Sequence, residues 1–94
     1  MDQRKHKRYE SVGCVAYAEI GEDLYNNAMM SNYSIGGMFF NTRNEVAPGT
    51  KICVRMIGYR SAFSAKVVRC IGFKDVSGVK YGVGVQYLEE VSAV

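Results

Sequence analysis

The amino-acid sequence predicts an all-β fold, either an antiparallel sandwich or a barrel. Segments rich in β-branched, aromatic and small residues recur along the 94-residue chain, and turn signals separate them about every 8–12 residues. Only residues 88–94 could form a helix, of about two turns at most. A chain of this length has room for one domain, and its 48% hydrophobic content allows a modest core.

The first half of the chain predicts three strands. Residues 9–20 are rich in small, β-branched and aromatic types, and the region at Gly21 that follows is typical of a hairpin turn. A second, more polar strand is predicted over 24–32. The polar stretch 32–37 then breaks the pattern before a short apolar strand at 38–42.

The second half of the chain predicts three more strands. Pro48 and Gly49 mark a turn, and residues 50–57 then alternate apolar and polar side chains with the period of a strand. Residues 60–73 predict a long strand, and 80–88 predict the last one. These segments complete a set of five or six short strands.

Two details of the last strands can be predicted from the alternation of side chains. In the long strand, simple alternation places Val67 and Arg69 on one face and Val68 between them on the other. In the last strand, Gly82 and Gly84 share a face. Paired glycines suit a bend or a close approach of backbone, as at a barrel corner.

The charge of the chain is concentrated rather than large. The net charge is +3, but four of the 12 Lys and Arg residues lie between positions 4 and 8. A local cationic cluster on a nearly neutral body predicts a small anionic ligand rather than a long surface for duplex binding. The alternative is a solvated tail that only keeps the protein in solution.

Composition also predicts the compartment and the state of the cysteines. No stretch approaches 18 consecutive apolar residues, and the charged start lacks the apolar run of a secretory signal, so we expect a cytoplasmic protein. The cysteines Cys14, Cys53 and Cys70 contain no Cys-x-x-Cys pair, so neither a metal site nor a disulfide framework is predicted. Cys14 and Cys70 lie in apolar runs, where cysteine usually behaves as a small buried hydrophobe.

The basic cluster contains two arginines, Arg4 and Arg8, four residues apart. In an extended segment, residues at this spacing project to the same side about 13 Å apart, and in a helix they share a face at about 5–6 Å. Both guanidinium groups therefore point one way under either geometry. Each can bind a phosphate or the O6/N7 edge of a guanine through two hydrogen bonds, and each can stack on a base.

The second motif spans residues 32–37 and has the pattern Asn-x-Ser-x-x-Gly. Asn32 and Ser34 are two residues apart and would share one face of a strand, where an amide and a hydroxyl can hold the polar edge of a purine. Gly36 and Gly37 allow a ligand or the basic arm to approach the backbone closely. The structural alternative is an Asx or Ser turn at a strand end, with glycines that serve only the turn.

With these two motifs in this order, about 24 residues apart, the chain resembles a PilZ domain, the bacterial receptor module for cyclic di-GMP. That family is marked by Arg-x-x-x-Arg near its N-terminus and by Asp/Asn-x-Ser-x-x-Gly about one hairpin later. The resemblance extends to Tyr9 after the basic start and to the apolar strand after the Ser-Gly turn. It also includes the closing segment 81–87, and so covers nearly the whole chain.

The resemblance implies that the chain, 1–94, is a single PilZ-like domain. Its fold would be a six-stranded antiparallel PilZ-type β-barrel over 10–88, with a flexible basic N-terminal arm at 1–9 and a short or absent C-terminal helix in the tail at 89–94. A shortened helix could uncover barrel surface and favour a homodimer or a partner protein.

The resemblance also implies a ligand site for cyclic di-GMP, with no cofactor and no metal. The arm would hold the phosphates and guanine edges, the turn would bind a guanine base, and ordering of the arm would signal to a downstream protein partner. The implied ligand-binding residues are Arg4, Arg8, Lys5 and Gln3 from the arm, and Asn32, Ser34, Gly36 and Gly37 from the turn.

The sequence also bears on functions other than cyclic di-GMP binding. An enzyme is not expected, because His6 is the sole histidine and the spacing suggests no paired carboxylates or nucleophile–base set. A small basic barrel that binds single-stranded nucleic acid is the main alternative, since seven Tyr and four Phe beside a basic arm fit a stacking platform. A PilZ-like module that binds no ligand and acts only through protein contacts is the other alternative.

Overall fold

The computed structural model describes residues 9–58 and 62–88, which form six antiparallel strands closed into a barrel. The predicted all-β barrel is thereby confirmed. Around the barrel the strands follow the order β1-β2-β3-β6-β5-β4, and β4 pairs with β1 to close it. The strands are β1 (Tyr9–Glu19), β2 (Asn26–Tyr33), β3 (Gly37–Thr42), β4 (Lys51–Met56), β5 (Ala62–Asp75) and β6 (Gly78–Tyr87).

The connection between β5 and β6 is shorter than predicted. β5 continues to Asp75, although the prediction ended it at residue 73. β6 begins at Gly78, although the prediction began it at residue 80. The Asp75 carboxylate accepts hydrogen bonds from Ser77 N–H at 2.8 Å and Ser77 O–H at 2.7 Å, and it lies 3.1 Å from Lys80 Nζ. These interactions, with Ser77 contributing most, lower the pKa of Asp75 to about 2.

The interior of the barrel is filled by one hydrophobic cluster. Apolar residues that alternate along each strand point inward, and one residue of the β3–β4 connection joins them. The cluster lacks any charged group and contains mostly β-branched and aromatic residues, which pack well on pleated strands. Its members are Val15, Tyr17, Met30, Met38, Phe40, Val46, Ile52, Val54, Ala65, Val67, Val83 and Val85.

One hydrogen bond lies inside this core. Tyr17 Oη and Thr42 Oγ1 are 2.8 Å apart and buried, and Thr42 is the buried polar residue in the described part of the chain. The Tyr17 ring also packs on Phe40, with ring centroids 5.0 Å apart. The pair joins β1 to β3 across the interior, and Thr42 Oγ1 also accepts a hydrogen bond from Asn44 N–H at 3.5 Å.

A β-bulge in β5 changes which residues face the core. Val67 pairs with Val85, but Arg69 pairs with Gly84, so Val68 is the extra residue. Val67 is buried and Arg69 is exposed. The prediction that Val67 and Arg69 share a face is therefore wrong, because alternation restarts after the bulge.

The cysteines only partly follow the prediction of small buried side chains. Cys14 is exposed, because it alternates with the inward Val15, so the prediction is wrong for that residue. Cys70 is half-buried and packs against the core cluster. Across the described ranges, no group of three or more His, Cys, Asp or Glu residues could hold a metal ion. No helix among the described residues has the length and hydrophobicity needed to cross a membrane.

Replacing Tyr17 with Phe is expected to lower the free energy of unfolding by about 1–3 kcal/mol, because the buried Thr42 hydroxyl loses its bond to Tyr17 and keeps only the 3.5 Å bond that it accepts from Asn44 N–H. Adding Thr42→Val to the Tyr17→Phe variant removes that hydroxyl as well. The double variant should therefore lose less stability than the sum of the two single variants. Urea unfolding of all four proteins measures the difference, and strictly additive losses would contradict the coupling.

Candidate functional site

The polar motif at 32–37 forms the end of β2, a short turn and the first residue of β3. Ser34 N–H donates to the Gly37 carbonyl oxygen at 2.8 Å, and Gly36 N–H donates to Ser34 Oγ at 3.2 Å. This is the Ser turn that the sequence offered as its structural alternative. The Ser34 hydroxyl also carries an O–H of its own, so accepting one bond within the turn does not exhaust its capacity.

Gly37 packs against the backbone of β6. A Cβ atom on this residue would collide with the Val85 carbonyl oxygen and would lie 3.3 Å from Gln86 Cα. Next to it, Tyr87 N–H donates to the Gly36 carbonyl oxygen at 2.9 Å. The close approach that the two glycines predicted is thus made by a strand of the barrel itself, and their role toward a ligand stays a prediction.

Asn32 lies on the outer face of the barrel because of a second bulge. Met30 pairs with Phe40 inside the barrel, but Asn32 pairs with Phe39, so Ser31 is the extra residue of β2. Ser31 Oγ donates to the Phe39 carbonyl oxygen at 3.3 Å. Since Phe39 alternates with buried neighbours, Asn32 shares the outer face with it. β2 ends before Ser34, so strand alternation does not set the direction of that hydroxyl.

On the outer surface beside Asn32, the aromatic ring of Phe39 lies on two glycines of β6. A Cβ atom on Gly82 would lie 2.7 Å from Phe39 Cζ, and one on Gly84 would lie 3.5 Å from Phe39 Cδ2. The group that approaches this glycine pair is therefore a side-chain ring. Sequence reasoning missed Phe39, although the Gly-x-Gly pattern in a strand was the signal for such a contact.

Aromatic residues also lie near the turn, where Tyr87 is bonded to Gly36. The rings of Phe63 and Tyr87 are stacked with centroids 5.1 Å apart. Burial raises the pKa of Tyr87, and the neighbouring Tyr33 raises it further. A tyrosine pKa raised from 10.0 leaves the phenol neutral at physiological pH. This end of the barrel therefore presents apolar and hydrogen-bonding groups without negative charge from that tyrosine.

The N-terminal segment joins the barrel beside the turn. Tyr9, the first residue of β1, pairs with Tyr33, and Glu10 pairs with Asn32. The chain therefore enters the barrel next to the residue that separates Asn32 from Ser34. The predicted site residues of the arm lie outside the described residues; they are Gln3, Arg4, Lys5 and Arg8.

A separate depression of about 950 Å³ lies on another part of the surface. None of the four turn residues of the predicted site lines it; its lining includes Asn27, Asn41, Phe73 and Lys80. The turn is thus not part of this cavity.

Comparison with known proteins identifies the family. A family model described as PilZ domain matches residues 2–93. The chain belongs to the PilZ domain family. No curated protein matches the chain.

Solved structures share the PilZ fold. The PilZ domain of YcgR from Escherichia coli, solved with c-di-GMP, has a TM-score of 0.74 and 13% identity, with coverage of 98% of this chain and 82% of that one. The complex of MrkH from K. pneumonia with c-di-GMP has a TM-score of 0.73 and 12% identity, covering 96% and 46%. The inhibitor of motility MotI/DgrA of Bacillus subtilis has a TM-score of 0.69 and 18% identity, covering 99% and 45%. This PilZ chain thus spans less than half the length of MrkH and of MotI/DgrA. At sequence identities this low, the structural similarity shows the fold alone.

Replacing Gly37 with Ala is expected to destabilise this PilZ domain by about 1–3 kcal/mol, because the new Cβ atom meets the Val85 carbonyl, which is backbone and cannot rotate away. The matched control is Gly84→Ala on the neighbouring strand, whose Cβ atom would meet nothing closer than 3.5 Å. Thermal unfolding of both variants measures the difference. Equal melting temperatures for the two would contradict the packing role of Gly37.

Proposed function

We propose that this PilZ domain binds cyclic di-GMP and acts as a regulatory binding module rather than as an enzyme. The observation that carries the proposal is the pairing of Tyr9 with Tyr33. Arg8 directly precedes Tyr9, so the basic segment begins next to the residue between Asn32 and Ser34. Two PilZ-fold structures similar to this chain are described as bound to c-di-GMP, which supports the same ligand here.

The arm and the turn would contact different parts of the ligand. Cyclic di-GMP carries two phosphates and two guanines, and the guanidinium groups of Arg4 and Arg8 suit both the phosphate oxygens and the guanine edges. Lys5 and Gln3 would add hydrogen-bond donors from the same arm. The turn would bind a guanine base through the Asn32 amide and the Ser34 hydroxyl, with Gly36 and Gly37 alongside.

The expected affinity follows from the number of charged contacts. A hydrogen bond to a charged group contributes about 1.5–3 kcal/mol. The favourable free energy of three or four such hydrogen bonds, together with that of base stacking, has to exceed an association cost of roughly 4–15 kcal/mol. The outcome is binding at micromolar concentration or somewhat tighter, near −8 kcal/mol.

Closing of the arm would be the signal. The arm would cover a ligand that is bound at the turn. An arm fixed on the barrel by the ligand forms a surface that the free protein does not present, and a downstream protein partner in the cytoplasm could recognise it.

Replacing Arg4 or Arg8 with Ala is expected to weaken binding of cyclic di-GMP by about 2–3 kcal/mol, roughly 30- to 150-fold, because each change removes a charged group from the ligand. The matched control is Lys7→Ala, which makes the same change in net charge within the same cluster but lies outside the proposed contacts. Calorimetric titration of the three variants measures the effect. Equal affinities for all three would remove the paired arginines from the mechanism.

Titration at two salt concentrations separates this function from nucleic-acid binding. We expect tight binding of cyclic di-GMP, weaker binding of GTP, and little change with salt, because the ligand carries only two phosphates. A binder of single-stranded RNA would lose affinity steeply as salt rises, since each neutralised phosphate contributes to the slope. Steep, salt-dependent binding of a short oligoribonucleotide together with no heat from cyclic di-GMP would contradict the proposal.

A further inference from the structure

The distal half of β5 is hydrogen-bonded on one side only. β4 pairs with β5 no further than Lys66, and the last hydrogen bonds on that side join Val67 to Thr50 and Gly49. From residue 69 to residue 75, β5 pairs with β6 alone. Within 9–58 and 62–88, this stretch is therefore an open strand edge where β5 extends beyond β4. We call residues 69–75 the β5 edge.

The pairing of β6 determines which backbone groups of the β5 edge are open. Tyr87 N–H donates to Gly36 on the β3 side, so the odd-numbered residues of β6 bond toward β3 and the even-numbered ones toward β5. The β5 partners of those even-numbered residues are Arg69, Ile71, Phe73 and Asp75. The N–H and C=O groups of the residues between them point to the open side, and these residues are Cys70, Gly72 and Lys74.

The side chains along the β5 edge are complementary to a second copy of themselves. After the bulge at Val68, the residues 69, 71, 73 and 75 lie on the outer face, where Ile71 is 51% and Phe73 39% exposed. The pattern on this face is Arg-x-Ile-x-Phe-x-Asp. Aligned antiparallel with itself, it places Arg opposite Asp and Ile opposite Phe. Opposite charges and aromatic–β-branched pairs are the cross-strand combinations that stabilise a sheet.

We propose that the β5 edges of two copies of this chain pair antiparallel about a twofold axis through Gly72. The barrels would then be joined by one continuous sheet in which β5 of each copy lies beside β5 of the other. Such an interface is self-complementary, as a twofold dimer requires. The opposed residues would be Gly72 with Gly72, Cys70 with Lys74, Ile71 with Phe73, and Arg69 with Asp75.

The register follows from the limits of the edge. The open stretch ends at the bulge on one side and at the hairpin turn on the other, and Gly72 lies at its centre. Only a register with Gly72 on the twofold axis pairs every residue of the β5 edge with a residue of the other copy. A register centred on Ile71 would place Asp75 opposite Val67, whose backbone already bonds to Thr50 and Gly49. It would also leave Arg69 facing Phe73 rather than an acid.

Sedimentation velocity over a wide range of protein concentration tests for the dimer. The interface is one short strand pair, so we expect weak association that grows with concentration. Arg69→Asp replaces both Arg–Asp pairs with Asp–Asp pairs and should raise the dissociation constant about tenfold. The matched control is Lys66→Asp, an equal change in charge at an exposed position of β5 that is already paired with β4. Equal effects of the two variants, or a wild-type protein that stays monomeric throughout, would overturn the proposal.

A mixing experiment tests the register. In a dimer of the Asp75→Arg variant, like charges also lie opposite each other. In an equimolar mixture of Arg69→Asp and Asp75→Arg, a dimer with one copy of each variant has an acid opposite a base at both ends of the paired strands. The mixture should therefore associate about tenfold more tightly than either variant alone. A mixture no tighter than its components would exclude this register.

Amide exchange of the wild-type protein tests the same pairing without a mutation, in case Asp75→Arg disturbs the turn held by Ser77. In concentrated protein, the N–H groups of Cys70, Gly72 and Lys74 should exchange more slowly than in dilute protein. Those of Ile71 and Phe73 already bond to β6 and should not change. Slowing that fails to alternate along β5 would contradict the strand pairing.

Discussion

The close approach of β3 to β6 is the contact on which the closure of the barrel depends. β6 is the strand that joins β1-β2-β3 to β5 and β4, so any separation from β3 would open the barrel along that seam. Gly37 on β3 leaves room for the Val85 carbonyl, and Gly82 on β6 leaves room for the Phe39 ring. Larger residues at these positions would force the strands apart or displace the ring, since protein interiors have little free volume to absorb an added atom.

The shape of the candidate site is a consequence of that closure. The turn between β2 and β3 is bonded within itself through Ser34 and Gly37 and is tied to β6 through Gly36 and Tyr87. Its conformation is therefore set by the barrel before any ligand arrives. A preformed turn reduces the ordering cost of binding a ligand.

Much of the fold could be predicted from the sequence, because alternation and turn residues are local signals. The six strands follow from them, and the Asn-x-Ser-x-x-Gly pattern correctly marks a tight turn. The bulges could not be predicted, since an extra residue at Ser31 or Val68 leaves no compositional signal and is decided by pairing with a distant strand. For that reason the outward positions of Arg69 and Asn32 emerged only from the structure.

The bulge at Val68 also determines how the two proposed surfaces relate to each other. By restarting the alternation it places Arg69 in the same outer row as Gly84, Phe39 and Asn32. Three strand spacings separate Asn32 from Arg69 in this row, a distance of about 14 Å. The open side of β5 faces away from β6 and hence away from the turn. Pairing of two copies at the β5 edge would therefore leave the turn uncovered, so that binding of a ligand there and association of the barrels do not compete for the same surface.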